Sequence, residues 1–417
     1  MNYNQIIKHV SFILLLIILL ALCPNTAFCQ GAWIQKPNAG TEERFHAVSF
    51  SIDDNGFTGM GENISGTPLI DLWEYDPIAS VWTQKANFPG VLRSNITSLT
   101  IRNKGYAGCG LGFSGGDLND FWAYEPGTNT WTQRANYPGS GRYNMFQFSI
   151  GNKGYIGGGN INGIGVFSDF WEYDPNTDDW TQKADFLGGE RFLAQGFSIG
   201  NNGYVIGGNT LTSAESTAYK YDPATNSWSS IADFPYTINQ AASFSIGNRG
   251  YICTGFDGTD LLNGLFSYNP VSDSWIQKAT MPGPGRFAPF GFAIGNNGYA
   301  GTGSGGFNLI NDMWEYTPDT ITTGSKSTLS SAFPLKLQPN PANAFIGVTF
   351  PNENANRISE IKILNYTGQS VLKSSMGVSF LNDAIKLPTR TLPDGNYVLM
   401  VRFSDGSISK EKFLVFH

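Results

Sequence analysis

The chain has 417 residues, a formal net charge of −7 and 14% charged residues. That length holds two or three domains with a large core, and the acidic balance excludes a surface built to grip nucleic-acid phosphates. With 50 glycines and 14% aromatics, the composition points to many turns and strands rather than long helices.

Residues 1–29 read as a signal peptide. Lys8 and His9 precede an apolar run over residues 10–23 that is too short to span a bilayer. Ala27 and Cys29 then form a small-x-small site that leaves Gln30 as the mature N-terminus. A lipid anchor on Cys23 or Cys29 is the weaker alternative, because Leu22 and Phe28 just before them are large. No later stretch approaches membrane-spanning length. Cys109 and Cys253, the cysteines left after cleavage, are expected to be small buried thiols rather than a disulfide or a metal pair.

Residues 30–319 repeat. Gly-aromatic pairs recur at Gly56/Phe57, Gly105/Tyr106, Gly154/Tyr155, Gly203/Tyr204, Gly250/Tyr251 and Gly298/Tyr299, a period of 47 to 49. A Trp follows a strand-end Tyr by seven residues five times: Tyr75/Trp82, Tyr124/Trp131, Tyr173/Trp180, Tyr221/Trp228 and Tyr268/Trp275. Each unit parses into four short strands, "FSI", "YIGGG", "DFWEYDP" and "WTQKADF", joined by "GNKG", a variable loop and a Pro-Asn turn. Four strands per unit of this length describe a propeller blade.

The sixth Tyr, Tyr316, has no such Trp after it. The missing segment stands at the other end of the repeats: "WIQK" at 33–36 duplicates "WIQK" at 275–278. An N-terminal strand that supplies the outermost strand of the last blade closes a ring of six and removes an open seam of unpaired backbone. Glycine-rich second strands followed by Tyr and Trp at fixed separation resemble kelch repeats. The resemblance implies an all-β, six-bladed kelch-type propeller like the central domain of galactose oxidase. It leaves the activity open, since such propellers include binding modules and enzymes.

Two side chains recur at one end of the units. Arg44, Arg93, Arg142, Arg191 and Arg286 precede strand one, with Ile238 in the fifth unit. The next residue is often aromatic: Phe45, Tyr143, Phe192 and Phe287. Asp71, Asp120, Asp169 and Asp312 precede strand three, with Thr217 and Gly264 in units four and five. Strand topology brings both sets to the end where the divergent loops emerge. The arginines and aromatics are the candidate ligand-binding residues, because function resides in variable loops on an invariant scaffold. In kelch proteins that bind peptides, the arginine at this position often lines the pocket. The alternative is that Arg and Asp pair and knit the ring. Arg191, which lacks its Asp, is the best single ligand contact. Lys36, Lys85, Arg134, Lys183 and Lys278 on the outermost strands are expected to discourage edge-to-edge pairing.

Residues 320–332 form a polar linker, and 333–417 read as a small β-sandwich with alternation in "FIGVTF" and "EIKILNY" and a hairpin at "SDG". "LQPNPANAFIGVTF", "IKILNYTGQSVL" and "LPDGNYVLMVRF" resemble the type A C-terminal sorting domain of type IX secretion substrates in the Bacteroidota. That resemblance implies export by the type IX machinery to the cell surface or the medium. Residues 30–332 carry 16 Lys and Arg against 27 Asp and Glu, whereas 333–417 carry 9 against 6.

The inventory for chemistry is thin. The mature chain has two histidines, His46 and His417, too few for a copper oxidase site. "YIGGG" lies in a strand with no helix after it, so it is no phosphate cradle. No metal or cofactor is expected. The chain reads as a secreted or cell-surface module that recognises an extracellular glycan or protein. The alternative is a metal-free sugar mutarotase or isomerase using an Arg with Glu190 or Glu43.

Overall fold

A computed structural model describes residues 31–40 and 42–318, and the strands with some adjoining residues between 336 and 415. The expected signal peptide and linker lie outside the described residues. The chain divides into two compact units, 1–320 and 321–417.

The first unit is a ring of six antiparallel blades, five of four strands and blade two with an added two-residue strand, Arg93–Ser94. Blade one is Val48–Ile52, Asn55–Gly59, Leu72–Asp76 and Val81–Lys85, each strand hydrogen-bonded to the next. The sixth sheet runs Phe290–Ile294, Asn297–Gly301, Met313–Thr317 and then Ala32–Lys36, with Trp33 opposite Tyr316. The N-terminal strand therefore closes the ring as expected. Blades two and five have longer central hairpins, Lys104–Gly112 with Asp117–Glu125 and Arg249–Phe256 with Leu261–Asn269, each with a bulge.

The repeated residues fasten neighbouring blades at three radii. Innermost, strand one alternates: in "FQFSI" Phe146, Phe148 and Ile150 are buried between blades, while Gln147 and Ser149 face the axis. Axial hydroxyls reach across the joints. Ser49 Oγ donates to Gly291 O at 2.8 Å, Thr100 Oγ1 to Ser51 O at 2.8 Å, and Ser245 Oγ to Ser198 O at 2.6 Å.

At middle radius the glycine of each "GNKG" turn seats a side chain of the preceding blade. A Cβ at Gly203 would lie 2.1 Å from Phe148, and one at Gly250 would lie 2.0 Å from Phe197. No side chain fits such a gap, which is why the Gly-aromatic pair recurs. Outermost, every strand-four Trp donates its indole N–H to the backbone of the preceding blade at 2.7 to 3.0 Å, from Trp33 on Ala279 O round to Trp275 on Ala232 O. Asn129, Asp178, Asn226 and Asp273 each accept both a Tyr O–H of their own blade and an Ala N–H of the preceding one. The Trp and Tyr rows thus join blades by directed bonds as well as by packing.

Cys109 and Cys253 are buried free thiols, and burial pushes each up to about 12. The strand-four lysines turn inward: Lys36, Lys85 and Lys183 pair with Glu315, Glu74 and Glu172 on strand three of their own blades.

The second unit contains two four-stranded antiparallel sheets. Ile346, Val348 and Leu387 from one and Ile361, Ile363, Leu399 and Phe413 from the other belong to a single buried cluster.

Candidate functional site

Strand one of each blade begins, and each loop between strands two and three emerges, at one end of the ring. Backbone bonds tie the two sets together: Arg142 N–H donates to Leu118 O, Arg191 to Phe167 O and Arg286 to Leu262 O. This end carries the repeated arginines.

All five arginines are buried, 0 to 3% exposed. Arg44 meets Asp71 through two bonds, at 2.6 and 2.7 Å, and Arg93 and Arg286 grip Asp120 and Asp312 in the same two-bonded way. Arg142 bonds Asp169 and stacks over Phe167, 4.0 Å from the ring centre. Each guanidinium also donates to the carbonyl of a left-handed residue at or near the end of strand two: Met60, Cys109, Gly158, Gly207 or Thr302. A third member escaped the sequence reading. Trp73, Trp122, Trp171 and Trp314, two residues after each Asp, donate their indole N–H to the same carboxylate at 2.7 to 2.9 Å.

Burial pushes the Asp71 and Asp120 carboxyls up, but hydrogen bonds from the Arg and the Trp, with the Arg charge, outweigh it and hold both below the usual range. Blade five replaces the whole trio with apolar groups, Ile238, Gly264 and Phe266, and Phe266 packs on Phe234 and Tyr236. Blade four keeps Arg191 with Thr217 and Tyr219 in the partner positions. The Arg191 guanidinium bonds Gly207 O, Gly188 O and Thr217 Oγ1, while Nε is buried without a partner among the described residues. Burial lowers its pKa, opposed by the charges of Glu215 and Tyr219. The carboxylates weighed for proton transfer, Glu43 and Glu190, are exposed, while the arginines beside them are bound to Asp71 and to the groups just named.

Inside the arginine circle lies the mouth of an axial channel of about 410 Å³ lined by strand one of every blade. Phe45, Tyr143, Phe192 and Phe287 stand half-buried around it, and Phe45 meets Phe287 edge to face at 6.1 Å. The rim itself is His46, Asn95, Asn144, Leu193, Gln240 and Ala288, two residues beyond each arginine position. All six have left-handed backbones, φ 49° to 58°, uncommon for non-glycine residues. Their amides link around the ring: His46 N donates to Ala288 O, Ala288 N to Gln240 O, Gln240 N to Leu193 O and Leu193 N to Asn144 O. The His46 ring nitrogens lie 3.3 Å from Glu62 Oε1 and 3.1 Å from Gln240 Oε1. No residue type repeats through all six rim positions, so nothing in the sequence marked them.

Comparison with known proteins fits this architecture. A kelch motif matches residues 198–235. A secretion system C-terminal sorting domain matches residues 336–415. A solved structure described as "Structure of YjhT" is similar to the chain at 17% identity and a TM-score of 0.58, covering 67% of this chain and 95% of that one. At that identity the likeness speaks for the propeller fold alone. No curated protein matches the chain. The chain is a six-bladed kelch-type propeller followed by a type IX sorting domain. That tail marks a secreted or cell-surface protein and implies contact with the secretion machinery.

Proposed function

We propose that the propeller is the recognition module of this exported protein, holding a glycan or an extracellular protein on the loop-bearing end over the channel mouth. One observation carries the reading. Around the channel mouth six residues of different chemistry, His46, Asn95, Asn144, Leu193, Gln240 and Ala288, each stand on a strained left-handed backbone. Strain of this kind costs about 1–3 kcal/mol per residue and persists where the surroundings over-determine it, as at ligand sites.

The half-buried aromatics Phe45, Tyr143, Phe192 and Phe287 offer stacking surfaces beside the rim. Arg191 is the arginine whose guanidinium bonds no carboxylate among the described residues, whereas Arg44, Arg93, Arg142 and Arg286 each bond an aspartate. A glycan array and an extracellular pull-down, run with His46→Ala, Gln240→Ala and Arg191→Ala proteins that keep the parent thermal midpoint, test the proposal. Loss of the same interaction in the rim variants is expected; full retention in all three moves the site off this end.

A further inference from the structure

Five of the six loops between strands two and three turn a large apolar side chain to solvent: Ile64, Phe113, Ile164, Leu211 and Phe307, 57 to 97% exposed. In blade five the corresponding loop, residues 257–260, holds no such side chain, and Leu261 and Leu262 at the start of the next strand are half-buried. The adjoining loops before strand one add Val91, Leu92 and Leu187. Single exposed apolar residues are ordinary, but one at the same station of blade after blade forms a ring, and a ring of this kind marks an interaction surface.

The charge of the ring is one-sided. Glu42, Glu43, Glu190 and Asp260 are exposed there, and Glu62 and Glu215 are half-buried. Every arginine of these loops is buried, and the lysines that open two of them, Lys183 and Lys278, are half-buried, Lys183 against Glu172. At the opposite end the turns mix signs, with Asp53 and Asp54 beside Arg102, Lys104 and Lys153.

We propose that this apolar, acid-bearing ring docks a cationic polypeptide that carries apolar side chains. The proposal rests on the loop-end reading above and chooses between its two ligand classes. Like-charge repulsion disfavours acidic glycans, nucleic acid and anionic bilayers. A sugar, being polyhydroxylated, gives aliphatic tips such as Ile64 and Leu211 little to cover.

The test uses the full secreted chain and synthetic peptides of alternating Lys and Leu, Lys and Ser, or Glu and Leu, with phosphatidylcholine vesicles as a further arm. Two loop-end variants, Ile164→Ser/Leu211→Ser/Phe307→Ser and Glu42→Gln/Glu43→Gln/Glu190→Gln, change exposed residues only. An opposite-end control carries Ile78→Ser/Val271→Ser/Asp53→Asn/Asp54→Asn. The Lys-Leu peptide should bind, each loop-end variant should weaken it by about tenfold or more, and the control should bind like the parent. The Lys-Ser peptide should bind more weakly and lose its affinity to added salt. Equal weakening in the control, or equal binding of the Glu-Leu peptide or the vesicles, overturns the proposal. If the Lys-Leu peptide does not bind while a glycan binds and is lost with His46→Ala, the cationic partner is wrong and the loop-end reading stands.

Discussion

At the residue scale, the repeat is explained by what cannot fit. The glycines before the aromatic of strand two are required by a close approach, since their backbones do not adopt the left-handed region. Blade two offers an internal comparison, because its strand one carries Leu99 where the others have Phe. A Cβ at Gly154 would accordingly lie 2.9 Å from its nearest atom, at Ile101, against 2.1 Å from Phe148 at Gly203. Overpacking of this kind costs about 1–3 kcal/mol. Gly203→Ala should therefore lower the thermal midpoint by several degrees and Gly154→Ala by clearly less, as scanning calorimetry can measure; equal losses would mean that Phe148 yields as easily as Leu99.

At the element scale, the Arg-Asp-Trp trio is complete in blades one, two, three and six and wholly replaced in blade five, while blade four keeps the arginine alone. Removing one partner of a buried ion pair costs about 3–5 kcal/mol, while replacing the set with apolar groups can be nearly neutral. Asp120→Ala, which strands the buried Arg93 guanidinium, should cost more in denaturant unfolding than the blade-five set Arg93→Ile/Asp120→Gly/Trp122→Phe. The reverse order would contradict the trio. The sequence revealed the Arg and Asp and the strand order that joins them. It hid the Trp, because an aromatic in a β-strand reads as packing until its N–H is seen to have a target.

Closure is the second element-scale matter. Trp33 makes the same bond to Ala279 as Trp131 makes to Ala86, at 2.7 and 3.0 Å. Trp33→Phe and Trp131→Phe should then lose a similar amount, about 1 kcal/mol each. Deleting residues 31–36 removes a whole edge of blade six and should abolish cooperative unfolding at the parent midpoint.

At the scale of the whole molecule, acid should weaken the ring from the loop end. The Asp71 and Asp120 carboxyls are held below the ordinary range, so their contribution is complete above the unfolded value of about 3.9 and is lost as pH falls through the lower folded values. Thermal midpoints should decline on acidification in that window, and Asp71→Asn/Asp120→Asn should start lower and flatten the slope. An unchanged slope would mean that these carboxylates titrate alike folded and unfolded. The blade count and the closing strand were legible because each rests on a residue repeated at a fixed period. The rim of His46, Asn95, Asn144, Leu193, Gln240 and Ala288 was not, since what it shares is a backbone conformation and a place around an axis. No residue type signals either one.

The most direct test of loop-end recognition is hydrogen exchange on the secreted protein, with and without the glycan or protein that it captures. Protection should appear at residues 44–47, 60–71, 158–169 and 207–217 around the channel mouth, leaving the turns at 53–54, 102–104 and 151–153 unchanged. Protection confined to those turns would contradict the account.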